Sequence, residues 1–466
     1  MQELNWLSAA KLSKGYAKKK FSPVDVAREC LAQIARHDHA INAMCHVDEK
    51  AALEQATASE ERWNKGKELS PLDGVPALIK DLLLTKGWPT LRGSKTVARD
   101  QDWDQDAPSV ARLREAGAVF LGATTTPEFG WKGVTDSPLT GITRNPWDVT
   151  KTPGGSSGGS SAGVAAGYAP LSLGTDGGGS IRIPAGFSGI YGLKPSFGRV
   201  PAYPLSPFGT VAHVGPMTRT VEDSALMMNE IAKPDARDWT SLPFDDRDYM
   251  KKLDNGVKGM KIAFSPTLGY VDVDPEIAEL VKQAVRVLEE LGADIEQVDP
   301  GFADPGPCFR TLWWSGARAL LGKLPDKKKA LLDPALADVV VQSMAITPED
   351  YFEAVRLRGA LGTQMRVFME RYDLLLTPTL PIPAFEAGKL SPVDEAEGKW
   401  VNWTPFSYPF NLTQQPAASV PCGFTKAGLP AGLHIVGKMF DDRTVLRASQ
   451  AYEEATDWTK KRPVLG

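Results

Sequence analysis

Apolar residues recur at helical intervals in the first part of the chain. Ser22 is followed by Pro23, the order expected of a helix cap and a proline in the first helical position. The run that Pro23 opens, PVDVARECLAQIARHD, keeps its apolar residues on one helical face. We therefore predict that residues 1–65 form a helical N-terminal arm.

From about residue 66 onward, short apolar runs alternate with amphipathic ones. The predicted strands cover residues 118–124, 261–266, 294–299, 373–378, 417–424 and 431–438, and the predicted helices cover 106–117, 275–293, 348–373 and about 441–456. Asp274 is expected to cap the second of these helices and Gly292 to end it. This alternation predicts an α/β fold, with a central mixed β-sheet covered by helices on both faces. No internal repeat divides the pattern, so we predict a single domain over residues 1–466.

Composition and charge exclude several classes of protein. The 466 residues are 42% hydrophobic and 24% charged, which is typical of a globular chain. With 53 Lys and Arg against 57 Asp and Glu, the chain has no basic excess for nucleic acid or for a membrane surface. No signal peptide or membrane-spanning run is visible. The four cysteines are far apart and the five histidines lack ligand spacing, so we predict a cytoplasmic protein with no metal and no cofactor.

Residues 153–195 form a segment rich in glycine and serine that is unlike the rest of the chain. Between Gly154 and Ile181 the only charged side chain is Asp176, yet apolar residues such as Val164 and Leu173 are interspersed, which a flexible linker would not carry. Glycine at this density indicates close backbone approach or positive φ angles. Both features suit a site that presents backbone N–H groups to an anion.

Three other interpretations of this segment are open. A phosphate-binding loop is disfavoured because GGSSGGS lacks the Lys-Ser/Thr ending. The GxSxG motif at 154–158 would make Ser156 a hydrolase nucleophile on a strand–turn–helix elbow. However, the preceding NPWDVTKTP is typical of a loop, and the only histidines downstream are His213 and His434. A purely structural glycine-rich turn is the third interpretation.

Four long stretches resemble the amidase signature family. They are GVPALIKDLLLTKGWPTLRGS at 74–94, GGSSGGSSAGVAAG at 154–167, LSLGTDGGGSIRIPAGFSGIYGLKPS at 171–196 and QPAASVPCGFTKAGLPAGLHIVGKMFDD at 415–442. The resemblance extends from about residue 5 to 456. It implies an α/β core of mixed strands, with a signature core at 66–235, a variable substrate-pocket segment at 236–400, and the closing strands and helix of the core at 401–466.

The same resemblance implies a catalytic triad. By motif, Lys80 is the base, Ser156 is the bridging serine (joined to its neighbour by a cis peptide in the family), and Ser180 is the nucleophile. The chemistry requires a neutral lysine, whose free pKa lies near 10.4, and burial lowers that pKa. Lys80 follows a buried apolar run, so a neutral Lys80 is expected to take a proton from Ser156, which takes one from Ser180. Asp81 would favour the ammonium unless its side chain points to the opposite face.

Further residues are assigned to support the triad. The oxyanion hole is expected to be formed by the backbone amides of Gly177, Gly178 and Gly179 and by that of Ser180 itself. The residues expected to support the site are Ser157, Thr175, Asp176 and Arg182. In the family, the Asp and Arg of this motif are structural partners near the site, so they are not expected to transfer protons.

Aromatic residues are the candidates for the substrate pocket. We expect a substrate-binding role for Phe129, Gly130, Trp131, Phe187 and Trp313; the alternative for each aromatic is a place in the core. Trp313 and Trp314 cannot face the same way, so at most one is expected to line the site. Apolar walls suit a hydrophobic or aryl amide better than glutamine.

We therefore expect an amidase that acts alone on a small-molecule amide, without nucleic acid or membrane. One alternative is the glutaminase component of a glutamine-dependent tRNA amidotransferase, which feeds ammonia from glutamine onto misacylated tRNA. It is disfavoured because Thr404 stands where that component has an acidic residue and 319–335 shows no counterpart of its arginine segment. A cyclic-amide or urea-derivative hydrolase of the same family is a second alternative. Many relatives are homodimers, so a homodimer stays open.

Overall fold

A computed structural model describes residues 3–393 and 400–465, which include every candidate site residue named above. The predicted segments 1–65, 236–400 and 401–466 each contain a few residues outside these ranges. The strands are β1 Met44–Val47, β2 Pro76–Lys80, β3 Val119–Thr124, β4 Asp136–Ser137, β5 Gly141–Ile142, β6 Leu171–Asp176, β7 Tyr191–Lys194, β8 His213–Thr218, β9 Lys261–Phe264, β10 Asp294–Gln297, β11 Leu374–Pro378, β12 Ala417–Phe424 and β13 Pro430–Gly437. The α-helices are α1 Ala9–Ala17, α2 Pro23–Ile41, α3 Glu49–Asn64, α4 Pro108–Glu115, α5 Gly158–Ala165, α6 Arg182–Ser188, α7 Val221–Ile231, α8 Pro275–Glu290, α9 Gly306–Leu321, α10 Asp326–Lys329, α11 Pro334–Gln342, α12 Pro348–Phe368, α13 Pro409–Leu412 and α14 Asp442–Ala455.

One mixed sheet of 11 strands organises the molecule, in the order β1-β3-β2-β6-β8-β7-β12-β13-β11-β9-β10. The pairs β3-β2 and β2-β6 at one end and β11-β9 and β9-β10 at the other are parallel, whereas the strands between β6 and β11 are antiparallel neighbours. Helices flank the sheet, with α5 against β2, β6 and β8, and α8 and α14 against β12 and β13. The predicted α/β fold with a central mixed sheet is confirmed.

Local sequence explains where the main helices begin. Ser22 accepts a hydrogen bond from the Asp25 amide while Asp25 accepts one from the Ser22 amide, a reciprocal capping box at the start of α2. Asp274 caps α8 through its carboxylate, as predicted. The predicted helices and strands after residue 66 are all present, and their ends differ from the prediction by a few residues.

The N-terminal arm is not purely helical, and this corrects the expectation for residues 1–65. Residues Met44–Val47 form β1, which pairs antiparallel with β3 at the edge of the main sheet. The segment is only four residues long and lies between two helices, so its own pattern gives no period. Its strand conformation comes from the hydrogen bonds that β3 offers, which is a tertiary effect.

The sheet topology gathers the motifs at one edge. Because β2 and β6 are parallel neighbours, their carboxyl ends meet, and these ends carry Lys80 and Asp176. The loop before α5 and the loop between β6 and α6 carry the two serine motifs to the same edge. Within residues 3–393 and 400–465, no helix is both long and apolar enough to cross a membrane.

Candidate active site

Lys80 is buried among three hydroxyl groups. Its Nζ lies 2.7 Å from Ser156 Oγ, 2.8 Å from Ser157 Oγ and 2.9 Å from Thr175 Oγ1. The Ser157 hydroxyl donates to the Thr175 carbonyl oxygen at 3.1 Å. With its proton committed there, Ser157 Oγ serves Lys80 as an acceptor. The lysine at the end of β2 is thus surrounded by groups that are able both to give and to take a proton.

Burial sets the protonation of Lys80. Its side chain is fully buried, and this desolvation lowers the pKa of the amine well below its usual value, while the charge of Asp176 opposes the shift. The carboxylate whose charge acts on this amine is Asp176 and not its neighbour Asp81. The strand does not continue through Asp81, because β2 ends at Lys80, and Asp81 Oδ2 accepts a hydrogen bond from the Gly93 amide at 3.0 Å. The site therefore favours a neutral lysine.

The two serine loops meet at the same place. The peptide bond between Gly155 and Ser156 is cis. The Ser157 amide donates to the Ser180 carbonyl oxygen at 3.1 Å, which ties the loop before α5 to the loop before α6. A Cβ at Gly155 would lie 2.5 Å from backbone atoms of Val134, so only glycine fits there. Ser156 and Ser180 are buried almost completely and line one cavity.

Asp176 and Arg182 hold the turn that carries Ser180. Arg182 donates from Nε to Asp176 Oδ2 at 2.9 Å and from Nη2 to Oδ1 at 3.0 Å, and both side chains are fully buried. Burial alone would raise the pKa of Asp176, but the Arg182 guanidinium holds it well below its usual range. Asn411 donates to Asp176 Oδ1 at 2.8 Å and accepts from Arg182 at 2.6 Å. This network fixes the backbone; it acts on the Lys80 amine through the charge of Asp176 and makes no hydrogen bond to it among the described residues.

The backbone amides of the turn differ in how they are used. The Gly179 amide donates to Asp176 Oδ1 at 2.8 Å. The amides of Gly177, Gly178 and Ser180 have no hydrogen-bond partner among the residues that the structure describes. Gly179 has a φ of +128°, and a Cβ there would lie 2.4 Å from Ser407 Oγ. Its glycine is therefore required for the turn, and its amide is engaged in holding that turn.

The cavity at this site has a volume of about 130 Å³. Ser156, Thr175 and Ser180 line it together with Arg92 and His213. The apolar part of the wall consists of Leu82, Leu83, Phe129, Ala202, Tyr203, Pro204, Leu205, Pro207, Phe208, Ala212, Val214, Trp313 and Leu320. Reactive hydroxyl groups at one end of an apolar cavity are typical of a site for a small hydrophobic ligand.

The structure brings only part of the predicted pocket to this cavity. Phe129, Gly130 and Trp313 line it, and Trp313 stacks on Phe208 with ring centroids 3.7 Å apart. Trp131 and Phe187 are buried and do not line it; Trp131 accepts a hydrogen bond at its carbonyl from Trp313 Nε1, and Phe187 stacks on another tryptophan of the core. These two residues therefore lie in the core, which was the alternative for each aromatic. Their apolar character suits the core and the cavity equally, so the sequence did not distinguish the two places.

Of the adjacent tryptophans, only Trp313 faces the cavity. The Trp314 side chain is also buried, and its Nε1 lies 3.4 Å from Gln342 Oε1, away from the cavity wall. The two rings point in different directions because neighbouring residues of α9 project from different faces of the helix. The expectation that at most one of them lines the site is met.

The elbow interpretation of Ser156 lacks its partners. Ser156 follows a loop and not a strand. His434 is buried and its ring nitrogens lie near Arg182 and Thr377. His213 lines the cavity, but its Nδ1 donates to the Val211 carbonyl oxygen at 2.8 Å. Burial lowers the pKa of both histidines well below the usual value, and neither hydrogen-bonds to Ser156.

Several cavity residues were not predictable from the sequence. Arg92 stands inside a stretch that carries the family resemblance, but nothing in its pattern indicates a role. Residues 202–208 contain two prolines and are typical of a connecting loop. Asn411, which belongs to the network around the turn, lies in the stretch 401–416. In that stretch Thr404 was the only residue with an assigned counterpart, the acidic residue of the amidotransferase component. Thr404, the residue at that position, is buried; its hydroxyl bonds to backbone carbonyls and it does not line the cavity.

Comparisons with known proteins agree with this geometry. The family described as Amidase matches residues 25–446. An acylamidase of Rhodococcus erythropolis is 37% identical over 470 residues, covering 99% of this chain and 98% of its own. The glutamyl-tRNA(Gln) amidotransferase A-type subunit of Chloroflexus aggregans is 36% identical, covering 100% and 99%. The crystal structure of a bacterial aryl acylamidase of the amidase signature family superposes with a TM-score of 0.91 at 33% identity, covering 98% of this chain and 97% of that one.

The fold and these matches define an amide-hydrolysing enzyme. The chain belongs to the amidase signature family.

Proposed function

We propose that this enzyme acts alone as an amidase and hydrolyses the C–N bond of a small hydrophobic or aryl amide through an acyl-enzyme on Ser180. The observation that carries this proposal is the position of Lys80, fully buried at the end of β2 and within 2.9 Å of three hydroxyl oxygens. Ser156, one of the three, lines the same cavity as Ser180.

The proton path follows from the hydrogen-bond inventory of a neutral amine. Such an amine has two N–H donors and one lone pair, and it has three hydroxyl neighbours here. Ser157 is an acceptor because its own proton goes to the Thr175 carbonyl. Of the other two hydroxyls, one takes the second N–H and one donates to the lone pair; the family resemblance assigns the donor role to Ser156 and leaves Thr175 as the acceptor. Ser156 is thus placed to pass a proton to Lys80 and to receive one from Ser180.

The reaction then balances without any further acid or base. Ser180 Oγ attacks the carbonyl carbon, and its proton travels through Ser156 to Lys80. The relay then runs in reverse: Lys80 returns a proton to Ser156, and Ser156 gives one to the leaving nitrogen as the C–N bond breaks, which releases the amine and leaves an ester on Ser180. Water attacks that ester along the same relay, and the acid leaves with Ser180 regenerated. One lysine acts first as base and then as acid.

The oxyanion of the tetrahedral intermediate needs donors that are free and preorganised. The amides of Gly177, Gly178 and Ser180 meet this requirement better than that of Gly179, which already donates to Asp176. We therefore keep the amides of Gly177, Gly178 and Ser180 as oxyanion donors and assign Gly179 to holding the turn.

The apolar cavity supports the substrate class. Its wall is built mainly from aromatic, leucine and proline side chains, with Trp313 and Phe208 stacked at one side. The matched acylamidase and aryl acylamidase point the same way. Such a wall binds the hydrophobic body of an amide and desolvates the reacting groups.

The amidotransferase component is the second candidate, because a protein with that name matches the whole chain at 36% identity. It predicts glutamine as substrate and dependence on a partner and tRNA. Against it, Thr404 is neither acidic nor in the cavity. The cyclic-amide or urea-derivative hydrolase remains a further candidate. The proposal also covers the setting of the enzyme: it acts without a partner protein on a small molecule, without nucleic acid or membrane, and it lies in the cytoplasm. A homodimer and the segment boundaries at 65, 235 and 400 are further parts of the proposal.

Amine and ammonia release by the purified chain tests the proposal. The panel holds an anilide, an arylacetamide, a short aliphatic amide, a cyclic dipeptide and glutamine, each with the wild type and with Ser180→Ala. We expect turnover of the anilide or arylacetamide by the wild type alone, and its loss in Ser180→Ala. Turnover of glutamine only, or an unchanged rate in Ser180→Ala, would contradict it. A fluorophosphonate followed by peptide mass spectrometry should label Ser180, and label on Ser156 instead would restore the elbow interpretation.

A further inference from the structure

Arg92 is a positive charge without a hydrogen-bond partner in the wall of an otherwise apolar cavity. Among the described residues that line this cavity, it carries the only fixed positive charge. Its guanidinium makes no hydrogen bond or ion pair with any residue that the structure describes, whereas many other arginines of the chain do. Since a guanidinium has five N–H donors, such an arginine in a binding cavity is available to a ligand.

The backbone holds Arg92 at the cavity in an unusual conformation. Arg92 has a φ of +58° and its carbonyl accepts a hydrogen bond from the Phe129 amide at 2.8 Å, and Phe129 itself has a φ of +52°. Left-handed backbone is uncommon for both residue types and persists where surrounding contacts fix it. Phe129 is followed by Gly130, where a Cβ would lie 3.2 Å from Ser156 Oγ. The arginine is thus tied through one short loop to the proposed proton relay.

The acidic groups near Arg92 leave its charge incompletely balanced. Asp81 is the carboxylate whose charge acts on it, but Asp81 Oδ2 is used by the Gly93 amide. Burial raises the pKa of Asp81 to about 7, so this carboxyl is only partly ionised at neutral pH. Asp102 and Asp104 line an outer cleft that Arg92 also borders, but both are exposed and neither pairs with it. Desolvation lowers the pKa of Arg92 itself, which remains charged.

We propose that Arg92 selects substrates whose hydrophobic body ends in a carboxylate, which the guanidinium binds while the amide lies at Ser180. This inference rests on the proposed amide hydrolysis in the same cavity. A carboxylate matches the fork of N–H donors in two parallel hydrogen bonds, and the apolar wall strengthens the pairing by excluding water. The substrate class is therefore an amide of a hydrophobic or aryl compound that carries a free acid.

Two matched pairs of substrates test the proposal, because the acid group belongs either to the acyl part or to the amine part. The first pair is succinanilic acid and butyranilide, and the second is 4-acetamidobenzoate and acetanilide. We expect kcat/KM of the wild type to be about 10- to 100-fold higher for the acid of at least one pair, mainly through KM. Equal values within both pairs, or a preference for both neutral amides, would overturn the proposal.

Variants assign the preference to Arg92. Arg92→Gln should bring the ratio between acid and neutral amide close to one, and Arg92→Lys should keep part of it, because lysine has the charge but not the fork. Arg99→Gln is the matched control, since Arg99 is an exposed arginine of the same stretch that does not line the cavity. It should keep the full ratio. A ratio that survives in Arg92→Gln, or falls equally in Arg99→Gln, would refute the assignment.

Binding separates this inference from the proposed function. The same four compounds are titrated into Ser180→Ala and into the double variant Ser180→Ala/Arg92→Gln by calorimetry. Tighter binding of an acid that disappears in the double variant supports Arg92 even if the wild type hydrolyses none of the four, and then only the hydrolase proposal fails. If the wild type hydrolyses the neutral anilides and shows no preference for the acids in rate or in binding, only the Arg92 proposal is contradicted.

Discussion

Two lysines among the residues that the structure describes are fully buried, and their surroundings differ. Lys80 ends β2 and Lys194 ends β7, and desolvation lowers the pKa of both amines well below the usual value. The Lys80 amine faces three hydroxyls beside a cavity. The Lys194 amine donates to the backbone carbonyls of Gln415 and, at 3.3 Å, Pro195. Carbonyl oxygens only accept, so Lys194 has no group from which to take a proton.

The comparison separates burial from catalytic use. Burial makes a lysine neutral enough to act as a base, but a base also needs a proton donor within reach of its lone pair and a path to the substrate. In the proposed relay, Ser156 provides both for Lys80. The partners of Lys194 instead join β7 to the segment before β12, which is a structural task. A perturbed pKa therefore indicates a functional site only when the partners are able to exchange protons.

The largest effect is expected from removing each amine in turn. Lys80→Met should lower kcat/KM for an anilide by about 10⁴-fold or more, because base and acid are lost together. Lys194→Met should lower it by less than the roughly 10²-fold that loss of a general base costs, since no proton passes through it. Steady-state kinetics on protein whose circular dichroism matches the wild type checks both. Equal losses in the two variants would contradict the distinction between the two lysines.

The next effect distinguishes the hydroxyls around Lys80. Ser156→Ala removes the donor to the lone pair and should lower kcat by about 10²- to 10⁴-fold. Ser157→Ala removes an acceptor of a Lys80 N–H and should cost about 10-fold, because it disturbs only the orientation of the amine. The measurement is kcat for the two variants with one anilide. A larger loss for Ser157→Ala would mean that the relay runs through Ser157.

A smaller effect is expected in the pH dependence. The proposed relay requires neutral Lys80, so kcat/KM should fall about tenfold per pH unit below the Lys80 pKa, which lies under that of a free lysine because of burial. Lys194→Met should leave the position of this acidic limb unchanged. Profiles of kcat/KM against pH for the wild type and Lys194→Met make the test. A limb that moves by a full unit in Lys194→Met would show that the two amines are coupled.

The comparison also shows what a sequence is able to reveal. The predicted helices and strands after residue 66 could be found from the sequence because their apolar periods are long and their caps explicit, as with Asp274 at α8. The pattern did not predict β6, β7, β8, α7 or α9. Lys80 and the serines stood out through their glycine-rich motifs. By contrast, Lys194 also lies in a stretch that resembles the family, yet its burial and its carbonyl partners depend on Gln415, over two hundred residues later. Contacts that close only in three dimensions leave no local pattern.

The pocket was the part least accessible to prediction, for the same reason. Trp131 and Trp313 look alike in sequence, but only Trp313 reaches the cavity. The sequence around Arg92 and the loop at 202–208 shows neither a helical nor a strand period of apolar residues. Their positions follow from the packing of distant segments. β1 likewise exists because β3 offers hydrogen bonds to it. The family motifs indicate the reacting groups that we propose, whereas the substrate wall is a product of the tertiary fold.

The smallest effect concerns a half-buried carboxyl, Glu453, that like Lys194 is assigned to structure alone. Glu453 accepts a hydrogen bond from the Val221 amide at 2.9 Å, and burial raises its pKa to about 8, with the charge of Asp223 adding to the shift. Between its unfolded pKa near 4.5 and about 8, the folded state holds a proton that the unfolded state has released, so the free energy of unfolding falls as the pH rises through this window.

Glu453→Gln keeps an acceptor for the Val221 amide and cannot ionise. We therefore expect it to flatten that fall by at least about 1 kcal/mol between pH 5 and pH 8, measured by urea unfolding, with kcat unchanged. The same slope in both proteins would mean that Glu453 titrates as an exposed carboxyl. A change in kcat would mean that Glu453 affects the reaction although it lies away from the cavity.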